Sequence, residues 1–193
     1  MDKWFNIFPI LLILTALLGV FLFETWRRQV VCLAALFLGM FILMAQVNSL
    51  ALSSAKLISG WMAALLLALI VPKVESVSEE GLLSNQIFKI ASSIFIWMIA
   101  FFIARSVGSL FSTMPEIVFI SLAIFGSGML QLGMKAKPLQ VILGVLLIFA
   151  GFDLLYSSIE TSVLINGLLA AINLLVALLG TFFENRTNSE EEE

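Results

Sequence analysis

Two residues have the type and placement to do chemistry: Lys56 and Asp153 each interrupt a long apolar stretch. A charge inside a membrane-spanning segment costs several kcal/mol unless it is paired or hydrated, so each is a functional candidate by default. Lys56 lies about six residues into its stretch, or roughly 9 Å deep at 1.5 Å per residue. Asp153 lies about 14 residues from the opposite end of its own, or roughly 21 Å, which leaves it about 9 Å below the same surface of a layer roughly 30 Å thick. Similar depth and opposite charge allow a buried ion pair or a proton-exchanging pair if the two spans touch. The other reading has both side chains reach the headgroups, Lys56 along its flexible stem. Glu24, Arg105, Glu116 and Glu160 fall nearer span ends and read as interfacial.

Other chemistries lack their residues. There is no His and a single Cys, Cys32, so metal, haem and iron–sulfur sites have no ligand set, and no internal disulfide can form. Ser53, Ser54, Ser157 and Ser158 have no imidazole base, which excludes the usual nucleophilic catalysis. With no phosphate loop or paired catalytic carboxylates either, no cofactor and no catalytic activity of the isolated chain are expected. Lys and Arg gather into no patch, so no nucleic-acid partner is expected.

The elements that must hold these residues follow from composition. Of 193 residues, 61% are hydrophobic and 12% charged, with 10 Lys and Arg against 13 Asp and Glu, a net charge of −3. Mean hydropathy is +1.12. Soluble domains carry about 45–50% apolar and about 25% charged residues. The chain therefore reads as an all-α integral membrane protein with the lipid bilayer as its first partner.

A span needs about 20 apolar residues, and about seven windows qualify: Asn6–Phe23, Val30–Val47, Leu50–Val71, Ile87–Ala104, Met114–Met134, Pro138–Tyr156 and Val163–Phe183. Six spans with one interfacial helix is the rival count, because only Gln46, Asn48 and Ser49 separate the second and third windows, and the fourth opens on polar Ser84, Asn85 and Gln86. The first window is too long for a secretory signal, and no A-x-A-like site follows Phe23, so it is expected to remain as an anchor. Arg27, Arg28, Lys73, Lys89, Lys135, Lys137 and Arg186 collect on one side, against Lys3, Arg105 and the intramembrane Lys56 on the other. Retention of positive residues in the cytoplasm then predicts an outside N-terminus and a cytoplasmic C-terminus, in a cell inner or plasma membrane.

Residues 1–183 read as one polytopic domain and 184–193 as a disordered acidic tail, since a block of like charge buries too little apolar surface to fold. The acceptor pattern Asn185-Arg186-Thr187 falls on the cytoplasmic side and reads as a coincidence. Trp4 and Trp26 suit an interfacial belt, whereas Trp61 and Trp97 fall inside spans and face lipid or neighbouring helices. Gly126, Gly128, Gly144, Gly151 and Gly167 are expected to let helices approach closely, where van der Waals contact replaces the missing hydrophobic drive.

An internal repeat is suggested between residues 6–71 and 114–183. Arg28–Phe41 (RQVVCLAALFLGMF) lies over Gln140–Asp153 (QVILGVLLIFAGFD), which sets Phe37 on Phe149 and Gly39 on Gly151. Each unit is three helices with a basic loop after the first. A single linking span would make the two units parallel.

The second unit carries a family resemblance. Ser121–Phe183, SLAIFGSGMLQLGMKAKPLQVILGVLLIFAGFDLLYSSIETSVLINGLLAAINLLVALLGTFF, resembles the three-helix K subunit of complex I and the related membrane component E of formate-hydrogenlyase-type hydrogenases. The likeness lies in a Gly-containing first helix, a short basic loop, an I-L-G-V second helix and a third helix rich in Ala and Asn. It covers about a third of the chain. The resemblance implies an accessory membrane subunit of an ion-translocating complex, be it complex I, a hydrogenase or antiporter-like, with other membrane subunits as partners. Members place a glutamate in the second helix and another in the third. The corresponding positions here are Leu146 and Ile172, which cannot ionise, so that proton relay does not carry over and a mainly bridging role is expected. The alternative is an independent small ion or solute transporter or channel, in which the Lys56 and Asp153 level holds the gate or the substrate.

Overall fold

The computed structural model describes residues 3–23, 25–69, 82–111, 114–134, 138–160 and 162–190. These form seven helices: α1 Lys3–Leu22, α2 Trp26–Met44, α3 Leu50–Ala68, α4 Leu82–Phe111, α5 Pro115–Met134, α6 Pro138–Ile159 and α7 Val163–Glu190. In lipid every backbone N–H and C=O must be satisfied within the segment, which leaves the helix as the form for such apolar runs. Six of the helices are long and apolar enough to cross a membrane, and α1 adds the shorter apolar stretch Ile7–Leu22. The fold is that of an all-α integral membrane protein.

Helix ends differ from the apolar windows where polar residues continue a helix outside the apolar layer. The second helix starts at Trp26, four residues before its window, because Arg27 and Arg28 can occupy a first turn that projects toward water. The seventh helix runs through Glu190, so residues 184–190, expected to be a disordered tail, extend it instead. Asn185, Thr187, Asn188 and Ser189 are weak helix formers, but a helix already nucleated gains one hydrogen bond per added residue. Residues 191–193, residues 70–81 with Lys73, Glu24, Lys135 and Lys137 lie outside the described residues. Pro115 and Pro138 open α5 and α6, at the position where a missing N–H costs nothing.

Short connections make α1 and α2, α2 and α3, and the successive helices from α4 to α7 antiparallel neighbours. The first helix packs on α2, α2 on α3, α3 on α7, α7 on α6, α6 on α5 and α5 on α4, while α1 also meets α4 and α5 and closes the ring. The second and sixth helices touch across its middle. Leu17 of α1, Leu36 of α2, Leu67 of α3, Ile124 of α5 and Leu146 of α6 are fully enclosed there. The opposite pole is α4, with only 22% of its apolar window buried and Phe102 67% exposed.

Four of the glycines expected at contacts make them. A Cβ on Gly128 would lie 2.7 Å from the Ile148 backbone N, and one on Gly151 would lie 2.6 Å from that of Phe125, so α5 and α6 pack backbone to backbone. Gly144 faces Leu132 and the Gly128 carbonyl, and Gly126 faces Ile96 of α4. Gly167 does not pack, because it is exposed on α7 and a Cβ there would meet nothing within 4 Å. In the first unit Gly39 receives Ile13, 2.6 Å from an added Cβ. Ile13 and Phe125 precede Gly39 and Gly151 by the same number of residues, so the α1–α2 and α5–α6 pairs meet at glycines of equal spacing, by a side chain in the first and by backbone in the second.

Candidate functional site

The site is built at the end of the bundle that carries the α2–α3 and α6–α7 turns. Lys56, two turns into α3, extends its stem across to α6, where its Nζ meets Asp153 Oδ1 at 2.6 Å. The side chains are 11% and 5% exposed. The lysine therefore turns inward to the carboxylate and does not snorkel to the interface. Asp153 stands nearly two turns from the end of α6, a depth at which the stem of Lys56 suffices to reach it.

An ammonium has three protons to place, and removing it from water is costly unless all find acceptors. Here they do. One goes to Asp153 Oδ1, one to the Asp153 backbone carbonyl at 3.3 Å and one to Ser157 Oγ. Ser157 is one turn beyond Asp153 on the same face of α6. Its hydroxyl donates in turn to Asn166 Oδ1 at 2.6 Å, and Asn166 Nδ2 donates to the Ser162 carbonyl at 3.0 Å. From the α2–α3 turn, Asn48 Nδ2 donates to the Ser157 carbonyl at 2.9 Å. Both turns are thereby tied across the pair, and Ser157 and Asn166 are buried.

On its other side the pair faces a crevice of ≈ 10 Å³ between α2, α3 and α6, walled by Phe37, Met40, Phe41, Met44, Ser53 and Leu57. That is about the room one water needs. With mostly apolar side chains on this side, the two charges attract each other at an effective dielectric below that of water. The arrangement can hold a charge within the membrane and pass a proton between amine and carboxylate. It is a poor metal site, since hard cations take six or more oxygen ligands and this carboxylate is engaged by an ammonium. Among the described residues no three His, Cys, Asp or Glu side chains gather.

The remaining charges fall elsewhere. Glu116 and Glu160 are exposed at helix ends, and Arg105 lies over the Phe101 ring, 4.9 Å from its centroid. Trp26 is not in an interfacial belt. It is 5% exposed, and its Nε1 donates to the Leu67 carbonyl, joining the start of α2 to the end of α3. Trp97 donates to Ser127 Oγ of α5, and Trp61, 44% exposed, donates to the Ala34 carbonyl. Sequence reasoning missed Ser157, Asn166 and Asn48 as partners of the pair, and with them buried Lys89, Gln29, Gln131 and Asn173. The available signal was the spacing of Asp153 and Ser157, together with amide side chains inside otherwise apolar spans.

Fold and site together define the class: a polytopic all-α integral membrane protein with a charged pair enclosed in its own bundle. Comparison of the chain with protein-family models, with curated proteins and with solved structures finds no match.

Proposed function

We propose that the protein is a membrane subunit of an ion-translocating assembly, and that the Lys56–Asp153 pair is the charged centre it contributes. What supports this reading is the enclosure of that pair. An ion pair in a bilayer interior gives little net stability against apolar side chains of similar volume, so its retention fits a use for the charge. The resemblance of Ser121–Phe183 to the K-type and E-type subunits supplies the assembly, and the broad exposed apolar face of α4 offers a surface for neighbouring membrane subunits or lipid. Bridging is then one part of its work and charge handling the other, with Lys56 and Asp153 in place of carboxylates at Leu146 and Ile172. The proposed orientation puts the pair in the outer half of an inner or plasma membrane, with the C-terminus in the cytoplasm.

Purification of tagged protein in mild detergent, with mass spectrometry of the native particle, tests this directly. Copurifying antiporter-like or redox membrane subunits are expected, together with loss of ion coupling in Asp153→Asn. A lone chain or homo-oligomer would remove the subunit reading. A second reading, an independent small transporter, is favoured by one observation: α3, α6 and α7 of this chain supply every polar contact of Lys56 and the link on to Asn166, with no partner needed. Reconstituted protein that moves no ion or solute, unchanged by Asp153→Asn, would remove it.

A further inference from the structure

Asn173 sits midway along the apolar part of α7, 2% exposed, with an Oδ1 that meets no hydrogen-bond donor among the described residues. It is the middle member of a stripe, Asn166, Asn173 and Gly180, whose outer members both touch α6. Asn166 accepts from Ser157, and Gly180 faces Ile142, whose Cγ2 would lie 2.8 Å from an added Cβ. Residues seven apart stay on one helix face to within about 20°, so Asn173 faces α6 as well. With Ser157 opposite Asn166 and Ile142 opposite Gly180, the antiparallel register sets Asn173 opposite Phe149 and Ala150, the latter small and fully enclosed. From Asn166 to Asn173 is roughly 10.5 Å inward, and from Ser157 to Asp153 roughly 6 Å, at 1.5 Å per residue. About one helical turn of depth therefore separates Asn173 from the carboxylate.

Buried polar groups are almost always paired, with protein or with ordered water, and an unpaired acceptor in a low-dielectric interior is costly. A water molecule has two O–H groups and spans such a gap. We propose that a water molecule bridges Asn173 and Asp153, donating to Asn173 Oδ1 and to the carboxylate, and hydrates the inward side of the Lys56–Asp153 pair, where it exchanges protons with the carboxyl group. The proton is the ion that fits. A metal cation would meet the ammonium of Lys56, which already engages the Asp153 carboxylate and carbonyl and the Ser157 hydroxyl. The water stands on the geometry of α6 and α7, while its part in translocation rests on the function proposed above.

Two measurements test it. In a Cys32→Ala background, Asn173→Cys in liposomes should react with a small membrane-permeant methanethiosulfonate about ten times faster than Ala177→Cys, which is equally enclosed one turn deeper, because only a hydrated thiol supplies the reactive thiolate. In the full-length wild-type protein labelled with ¹⁵N-asparagine, water-edited solid-state NMR should show rapid magnetisation transfer from water to the Asn173 amide, assigned by its loss in Asn173→Leu. Equal reactivity at both positions, or no transfer to the amide, overturns the water and with it the hydration of the pair from this side. A wet Asn173 in a protein whose ion coupling is indifferent to Asp153→Asn would instead retire the functional reading and leave the water in place.

Discussion

Lys56 and Asp153 stand on helices that make little other contact, 97 residues apart in the chain, yet their charged atoms are 2.6 Å apart. Their contact is what connects α3 to α6, and the hydrogen bonds around it fix the end of the bundle where α2 turns into α3 and α6 into α7. Removing one charge while leaving the other has a different consequence from removing both.

Asp153→Asn or Lys56→Met alone leaves an uncompensated buried ion or an unfilled acceptor set, and each is expected to destabilise the protein by about 3–5 kcal/mol. The double variant Lys56→Met with Asp153→Leu should recover most of that loss, since apolar side chains of similar volume suit the crevice walls of Met40, Met44 and Leu57. Thermal unfolding of the three proteins in one detergent checks this. A double variant as unstable as the singles would mean that the pair holds the fold by geometry rather than by charge.

Ser157 couples two partners, accepting from Lys56 and donating to Asn166. Ser157→Ala is expected to cost about 1–3 kcal/mol, because an ammonium proton and the Asn166 Oδ1 both lose their partner inside the bundle. Asn166→Ala should then cost less in the Ser157→Ala background than in the wild type, since the shared bond is already gone and only the bond to the Ser162 carbonyl is left to lose. A double-mutant cycle on thermal stability reads the coupling, and strictly additive losses would contradict the chain of bonds.

The helices were legible in the sequence because an apolar run of about 20 residues has one stable form in lipid. Depth was legible too: counting residues from span ends placed Lys56 and Asp153 at one level. What counting leaves open is which helices are neighbours. The sequence order alone does not bring α3 beside α7 or α2 against α6, because the connection 70–81 is long enough to let α4 stand away from α3. The polar partners were hidden for a related reason. Asn48 read only as a break between two spans and Asn166 as one polar residue in an apolar span, and only the docking of the two turns joins them to Ser157. Likewise Trp26 looked interfacial by position, whereas the packing of α2 on α3 encloses it. Gly167 could not be told from Gly151 by type; the difference is the side of the helix on which a neighbour lies.

That difference makes a graded test of packing. Gly128→Ala and Gly151→Ala each drive a Cβ into backbone atoms of the facing helix, at 2.7 and 2.6 Å, which a side-chain rotation cannot relieve. Both should separate α5 from α6 and cost about 1–3 kcal/mol, the range for overpacking a close contact. Gly167→Ala and Gly133→Ala have open space and should be neutral or stabilising by up to about 1 kcal/mol through helix propensity. Unfolding temperatures of the four variants give the order, and a destabilising Gly167→Ala would point to a contact on that face supplied by another chain.

Orientation decides which compartment the pair communicates with. The hydrogen-bonded series from Lys56 through Ser157 to Asn166 leads toward the α6–α7 turn, where Glu160 is exposed, and Glu116 is exposed at the start of α5. The excess of Lys and Arg lies at the other end of the spans, so the orientation proposed above from the positive-inside rule would turn Glu116 and Glu160 outward. In a Cys32→Ala protein, Glu160→Cys and Glu116→Cys should therefore react with a membrane-impermeant maleimide applied to intact cells. Labelling only after the cells are opened would invert the protein, and the pair would then exchange with the cytoplasm. Labelling of one site and not the other would break the alternation of α5 and α6 across the membrane, which two helices joined by the short connection at residues 135–137 require.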